Sequence, residues 1–422
     1  MVDRETDETG PGLRIRCIDW FEWFATCQLT GFAVGHLITG DNVSEDFILK
    51  PALPIFVLLI FFRFLVESRA VSICLSAVFI VYGVFLLFYT LPDFKKRSLA
   101  IYYLSTLVVL GIMQVLVGGN YLYQGVPQFV AYAGYASSMV NYKMNPRFFE
   151  IHFYMYASVF IFLMIRGVNP EDVFSVSRNM ISVFVLMTLS VYYISCHQNR
   201  LCPSLFVPLL GFVIALWGVG RSGIGSLLII FLATVTFSGK FFLKKISVLF
   251  IMIISFFFIF NLVELDLSSF LVGIERFERL GVDDIRGEIN RAYISDAFAS
   301  VYSLFFGVPL NSIKEIIEMN GNPHSSYIWL HVNFGLIGFL ITILVVFFTI
   351  INLLLSKFYI LLSIFIVVLF RSAFDITAFY GPLDVIILYF IFSSARSINF
   401  SCEDFFFVRQ LKNHKIESGN VQ

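Results

Sequence analysis

The stretch NPHSSYIWLHVNFGLIGFLITILVVFFTIINLLL, Asn322 to Leu355, decides the fold: a short polar approach runs directly into a segment with no formal charge from Tyr327 to Leu355. A bilayer's hydrocarbon core is about 30 Å thick and takes about 20 apolar residues in an α-helix, so this segment is long enough to cross one. Apolar runs recur on both sides of it. They are Leu53 to Leu65, Val71 to Leu91, Leu99 to Val117, Phe148 to Ile165, Ile181 to Ile194, Leu205 to Trp217, Ile224 to Phe237, Ile246 to Leu262, Tyr359 to Phe370 and Leu383 to Phe392, with weaker runs at Phe21 to Thr39 and Phe129 to Val140. The pattern predicts an all-α, polytopic integral membrane protein with about 12 transmembrane helices. Composition agrees: 58% of the 422 residues are apolar, 14% are charged and 51 are Phe, and the mean hydropathy is +0.85. A soluble domain carries roughly twice that share of charge.

The 29 basic and 29 acidic residues cancel, so no bulk attraction to nucleic acid is expected. The placement of the charges is more informative than their sum. Lys240, Lys244 and Lys245 form one short basic loop, Lys357 sits in another, and Arg396, Arg409, Lys412 and Lys415 crowd the tail. The positive-inside rule assigns these, and with them the C-terminus, to the cytoplasm. Arg221 and the whole segment Glu264 to His324 then face outward. Upstream, Lys95-Lys96-Arg97, Lys143 with Arg147, and Arg200 each read as inside, whereas counting every span places Arg4, Arg14 and Arg16 outside. One early segment is therefore expected not to cross. The opening MVDRETDETGPG lacks the basic region and apolar core of a cleavable signal, so insertion is expected to be directed by the first retained helix.

None of the six cysteines (Cys17, Cys27, Cys74, Cys196, Cys202 and Cys402) forms a CxxC pair or lies in the outward segment. Neither a zinc site nor a disulfide framework is indicated. With no internal repeat, glycine-rich phosphate cradle or Pro/Ser linker, residues 1–422 read as one membrane domain containing an outward loop, 264–324.

That loop is about sixty residues long, far above the usual connection of about 4 to 6, and loops of such length usually carry function. Asp283 or Asp284 can cap a helix, after which Ile289, Ala292 or Tyr293, Ala297, Val301, Leu304 and Phe305 recur at helical spacing. The pattern predicts an amphipathic helix lying against the membrane domain, with Arg286 and Arg291 on its polar side and Gly307-Val308-Pro309 ending it.

Arg221 lies in Gly218-Val219-Gly220-Arg221-Ser222-Gly223, a sharp break between two apolar runs. A guanidinium at the edge of the hydrocarbon is costly unless partnered and is a functional candidate by default. Its planar fork suits bidentate contact with phosphate, and Arg221, Arg286 and Arg291 could surround one diphosphate without a metal. His324 follows Pro323, a good first-turn residue, with Asn322 available as the cap. The positive end of a helix dipole disfavours imidazolium, so the ring is expected to be neutral near pH 7 and able to act as a general base.

Arg221-Ser222-Gly223 at the end of a span, the loop helix opening Arg286-Gly287-Glu288-Ile289-Asn290-Arg291, Gly307-Val308-Pro309, and Pro323-His324-Ser325-Ser326-Tyr327-Ile328-Trp329-Leu330 with Gly335-Leu336-Ile337-Gly338 together resemble the O-antigen polymerase and O-antigen ligase superfamily. The resemblance covers Arg221 to Gly338; elsewhere it is a hydrophobic profile. It implies a bacterial inner-membrane glycosyltransferase acting on the periplasmic face on undecaprenyl-diphosphate-linked oligosaccharide, as donor and acceptor, with no metal or other cofactor. Membrane lipid and a chain-length regulator protein are the further partners implied. Arg221 matches the family's first arginine, His324 its loop-end histidine, and Arg286 or Arg291 its loop-helix arginine. The family's second arginine usually precedes an aromatic and a Gly-x-Gly turn; here that aromatic is absent and Pro309 follows Gly307-Val308, so both arginines stay candidates.

The expected mechanism is one inverting displacement. Arg221 and a loop arginine hold the donor diphosphate and stabilise its leaving charge, and His324 takes the proton from the acceptor hydroxyl. Simpler readings stand beside these. A lone histidine at a helix start is more often structural than catalytic, and His331, a heptad later, reads as a hydrogen-bonded helix histidine rather than half of a metal pair. Glu275, Arg276, Glu278 and Arg279 read as a solvated face. Arg371 and Asp375, four apart, read as partners of one another, and Gly335 and Gly338 as sites of close helix packing. Three functions fit: a polymerase joining repeat units, a ligase moving finished polysaccharide onto a lipid A core, and a lipid-linked oligosaccharide flippase. A flippase wants charge spread through its spans, and here the polar residues concentrate in one loop.

Overall fold

A computed structural model describes residues 51–66, 68–94, 98–117, 125–174, 177–218, 220–237, 285–318 and 322–398. Among these residues the secondary structure is entirely helical. The α-helices are α1 (Ala52–Leu65), α2 (Arg69–Phe94), α3 (Ser98–Val117), α4 (Gly125–Asn141), α5 (Pro146–Ile165), α6 (Asn179–Gln198), α7 (Phe206–Trp217), α8 (Arg221–Phe237), α9 (Ile285–Phe298), α10 (Val301–Phe306), α11 (Lys314–Glu318), α12 (Ser326–Leu355), α13 (Tyr359–Ser372) and α14 (Asp384–Ile398). They belong to the compact unit Leu53–Gln422, with α1 beginning at its boundary; the other unit, Met1–Ala52, lies almost wholly outside the described residues.

The apolar runs at 21–39 and 246–262 also lie outside the described residues, and each of the others forms a helix. Among the described residues four helices are long and apolar enough to cross a bilayer: Arg69–Pro92 within α2, Pro146–Ile165, Asn179–Gln198 and Ser326–Leu355. The shorter apolar helices, such as the 12-residue α7, reach only about 18 Å at 1.5 Å per residue. These helices are compatible with a membrane-embedded protein. Large apolar side chains on the outer surface fit the same setting: Val81, Phe88, Leu340 and Phe347 are exposed.

α6 is the centre. Every residue from Met180 to Cys196 is buried, which a helix achieves only when it is surrounded by others and carries apolar or small side chains all round. Around it Phe61, Tyr156, Phe160, Phe174 and Phe184 interlock at ring-centroid distances of 4.8 to 6.2 Å. α2 and α4 touch backbone to backbone: a Cβ on Gly134 would collide with the Gly83 carbonyl.

α6 spans about 30 Å along its axis. Its C-terminus receives the α4–α5 junction, where the Met144 N–H donates to Gln198 Oε1 at 3.0 Å and Asn199 Nδ2 donates to the Met144 carbonyl at 2.6 Å. Lys143, Arg147, Arg200 and Lys357 therefore gather at the end of α6 and α12 that lies away from Asn179 and Ser326.

The predicted single loop helix is two. α9 buries Ile289, Tyr293 and Ala297, as the spacing required, but the chain then breaks at 299–300. Ser300 starts α10 by accepting the Ser303 N–H on its hydroxyl at 2.9 Å. The break rephases the pattern, so Val301 and Phe305, expected inside, are exposed. Gly307, with φ +79°, ends α10 as expected. Asp283 and Asp284, the proposed caps, lie outside the described residues, as does the first part of the loop.

Candidate active site

The site is organised around a charge that the bundle encloses completely. Arg371, in the last turn of α13, is 0% exposed. Its Nη2 lies 3.4 Å from Asp375 Oδ2 and donates to the Asn179 carbonyl at 3.4 Å, while Asn179 Nδ2 donates to the same carboxylate oxygen at 3.4 Å. Nε and Nη1 of Arg371 have no hydrogen-bond partner among the described residues. Taking a guanidinium out of water costs several kcal/mol, and a single carboxylate offsets this only in part. The i,i+4 spacing foretold the pair; its burial was not legible, because Arg371 closes a short apolar helix in the sequence.

The segment after α13 is folded by Asp384. Its carboxylate accepts the N–H groups of Phe379, Tyr380 and Gly381 at 2.6, 2.7 and 3.1 Å, holding Phe379 at φ 54° and Tyr380 at φ 91°. Residues other than glycine rarely adopt such angles, and they persist only where the surroundings enforce them. The segment in turn seizes the start of α12. Ser326 Oγ donates to the Asp375 carbonyl at 2.7 Å and accepts from the N–H groups of Thr377 and Ala378 at 2.9 and 3.1 Å.

His324 sits two residues before that anchor, half-buried, between the buried Pro323 and Ser325. Its placement corrects the expectation from sequence. Pro323 is not in the first turn and Asn322 is not the cap: α12 begins at Ser326 with Ser325 at the N-cap. Asn322 instead accepts the His324 N–H on Oδ1 at 2.8 Å, a side-chain-mimicked turn that places His324 at φ 48°.

Arg221 is the first residue of α8 and half-buried. The preceding glycine sets the approach, since a Cβ on Gly220 would lie 3.1 Å from Asn179 Oδ1, and one on Gly223 would collide with the Ser182 side chain. Only a glycine-bearing turn lets α8 start this close to α6, with Gly220, the residue before Arg221, against the Asn179 that binds Arg371 and Asp375. Arg286 on α9 is also half-buried and near enough for its charge to act on that of Arg371. Arg291 is exposed. Five residues turn an α-helix by about 140° beyond one full turn, so the two arginines do not share a face as expected. The structure thus brings the backbone before Arg221 to Asn179, sets the Arg286 charge near that of Arg371, holds His324 two residues from the Ser326 that binds Asp375, and leaves Arg291 exposed.

The loop that carries Arg286 is clamped to α12. Ile289, Tyr293 and Ala297 pack with Val308, Ile313, Ile316, Ile328 and Val332. Burial pushes the Tyr293 phenol above its ordinary range, so it stays protonated. The hydroxyl meets His331 Nδ1 at 2.7 Å while His331 Nε2 meets the Leu304 carbonyl at 2.8 Å. A carbonyl only accepts, so Nε2 carries the proton and Nδ1 receives that of the phenol. Both ring nitrogens are therefore engaged, as the reading of His331 as a hydrogen-bonded helix residue required. Gly335 does more than allow packing: at φ 65° it breaks α12, and a Cβ there would collide with the Phe305 carbonyl. Gln114 bridges the break, its Nε2 donating to the Val332 carbonyl at 3.0 Å and to that of Phe306.

Arg371 pairs with Asp375, and the charge of Arg286 acts on that of Arg371. A cationic group of planar donors at the ends of apolar helices suits a phosphate-bearing ligand held at a bilayer edge. No protein-family model matches the chain, and no characterised protein matches it in sequence.

Proposed function

We propose that this protein is a bacterial inner-membrane glycosyltransferase that polymerises undecaprenyl-diphosphate-linked repeat units at the periplasmic face. The observation that supports the reading is that the three separate segments carrying Arg221, Arg286 and His324 converge on the buried Arg371–Asp375 pair and its partner Asn179. Arg221 and Arg286 hold the diphosphate of the donor lipid and stabilise the charge that develops as it leaves the anomeric carbon. A well-placed donor in such a role contributes about 3 kcal/mol. His324 takes the proton of the attacking sugar hydroxyl, a contribution of about 10²- to 10⁴-fold. One displacement inverts the anomeric centre; the reading assigns no step to a metal. Lys143, Arg147, Arg200 and Lys357, gathered at the far end of the bundle, support a cytoplasmic assignment for that end and a periplasmic one for His324.

Deleting the gene tests the reading. A polymerase loss leaves a single repeat on the surface lipid, and complementation with the wild-type gene restores long chains whereas His324→Asn does not. Loss of all repeats instead would favour the ligase, and unchanged chains would remove both.

A further inference from the structure

The end of the bundle opposite His324 holds a cavity of about 240 Å³, lined by Tyr193, His197, Leu201, Phe237, Lys357 and Phe358 among others. The C-termini of α6, α8 and α12 surround it, and α13 begins at its wall. The rings of His197 and Phe358 meet edge to face at 4.4 Å, and Phe237 and Tyr359 at 5.2 Å. Among the described residues no acidic side chain lines the cavity; Glu150, whose charge reaches the lining residue Cys196, is engaged by the Tyr154 hydroxyl at 3.2 Å.

Two helices end there in the same way. The Lys357 N–H donates to the Leu354 carbonyl at 3.0 Å and that of Phe358 to Leu353 at 3.1 Å; the Arg200 N–H donates to His197 at 3.0 Å and that of Leu201 to Cys196 at 2.9 Å. This paired bond pattern closes a helix with one left-handed residue, ordinarily glycine or asparagine. Here the position is filled by Lys357 at φ 59° and by Arg200 at φ 55°, at a cost of about 1–2 kcal/mol each for a side chain in that conformation. A cation near a helix C-terminus gains from the dipole, but that gain is available from any residue of the last turn and does not require the strained position. Both basic residues are exposed; Lys357 lines the aromatic cavity and Arg200 precedes its lining residue Leu201, at what the apolar helices define as a bilayer edge.

We propose that this cavity binds an anionic glycerophospholipid of the bilayer, its phosphate on Lys357 with Arg200 adjoining, and its first acyl carbons against Phe237 and Phe358. Basic recesses between membrane helices are the usual receptors for such headgroups. The site is independent of glycosyl transfer and lies a helix length from it.

The test uses the full chain in nanodiscs of phosphatidylcholine, alone, with phosphatidylglycerol, or with inorganic phosphate in the buffer. Its readouts are the thermal unfolding midpoint and lipid retained in native mass spectrometry. Phosphatidylglycerol is expected to raise the midpoint of the wild type and to be retained, and inorganic phosphate to do neither. Lys357→Gly removes the charge and relieves the left-handed strain, so it folds at least as well; it is expected to lose both responses. An undiminished phosphatidylglycerol response in Lys357→Gly, or equal behaviour in phosphatidylcholine alone, would overturn the proposal. An equal response to inorganic phosphate would replace the lipid by a free anion.

Discussion

Ser326 and Asp375 are tied by a 2.7 Å hydrogen bond from the serine hydroxyl to the aspartate's backbone carbonyl, and the same hydroxyl accepts two N–H groups of the segment that follows. One buried oxygen thereby fixes the start of α12, and with it His324, to the segment that holds the partner of Arg371. Ser326→Ala would leave the Ala378 N–H buried without a partner, while the Thr377 N–H and the Asp375 carbonyl keep their 3.0 Å bond to each other. The expected loss is about 1–3 kcal/mol, read as a lower unfolding midpoint, with a fall in transfer rate per folded molecule because His324 loses its anchor.

The Arg371–Asp375 pair predicts an asymmetry between breaking it and replacing it. Asp375→Ala leaves an enclosed guanidinium uncompensated, a cost of about 3–5 kcal/mol, so little folded protein is expected from a membrane extraction. The double variant Arg371→Met with Asp375→Leu removes both charges and is expected to recover folded yield without recovering activity. Equal yields from the single and double variants would contradict the buried-pair account.

Arg286 and Arg291 separate experimentally. Arg286 is half-buried beside Arg371, and Arg291 points to solvent. Arg286→Ala is expected to lower transfer by about 10²-fold, the scale of one lost charge-stabilising donor, and Arg291→Ala by less than about threefold, the scale of an exposed charge. Steady-state kinetics on a lipid-linked repeat unit decides between them.

The clamp between the loop and α12 predicts that Gly335→Ala and Tyr293→Phe act on the loop before the bundle. Alanine at Gly335 must take φ 65° with ψ −175°, a conformation essentially confined to glycine and costing about 1–3 kcal/mol, and displace the Phe305 backbone. Phenylalanine at Tyr293 leaves His331 Nδ1 without its donor, at about 1–3 kcal/mol. Both variants are expected to show faster proteolysis within 299–322 while α6 keeps its hydrogen-exchange protection.

The helices were legible because apolar runs must bury or face lipid, and the break at Gly218–Gly223 because glycines interrupt such a run. The pairing of Arg371 with Asp375 followed from i,i+4 spacing, and the engagement of His331 from its place on an apolar face. Contacts between segments far apart in sequence were not legible: nothing local to Asn179 or Ser326 announces that each touches the same aspartate. The second half of the loop helix was misread because a capping serine at Ser300 rephases a pattern that the apolar spacing alone would continue. His324 was placed in a helical turn because Pro323 favours one; the Asn322 side chain instead supplies a turn of its own.

In the proposed mechanism the group around Arg371 and Asp375 transfers sugar chains between lipid diphosphates, with His324 as the base. The direct measurement is elongation of a purified undecaprenyl-diphosphate-linked repeat unit by the protein in nanodiscs, resolved by chain length. The account predicts a ladder of products with release of undecaprenyl diphosphate for the wild type, a loss of about 10²- to 10³-fold in Arg221→Ala, and no ladder in His324→Asn, a substitution that tolerates the left-handed backbone. A wild-type protein that makes no ladder, or a His324→Asn protein that makes the same one, would contradict it.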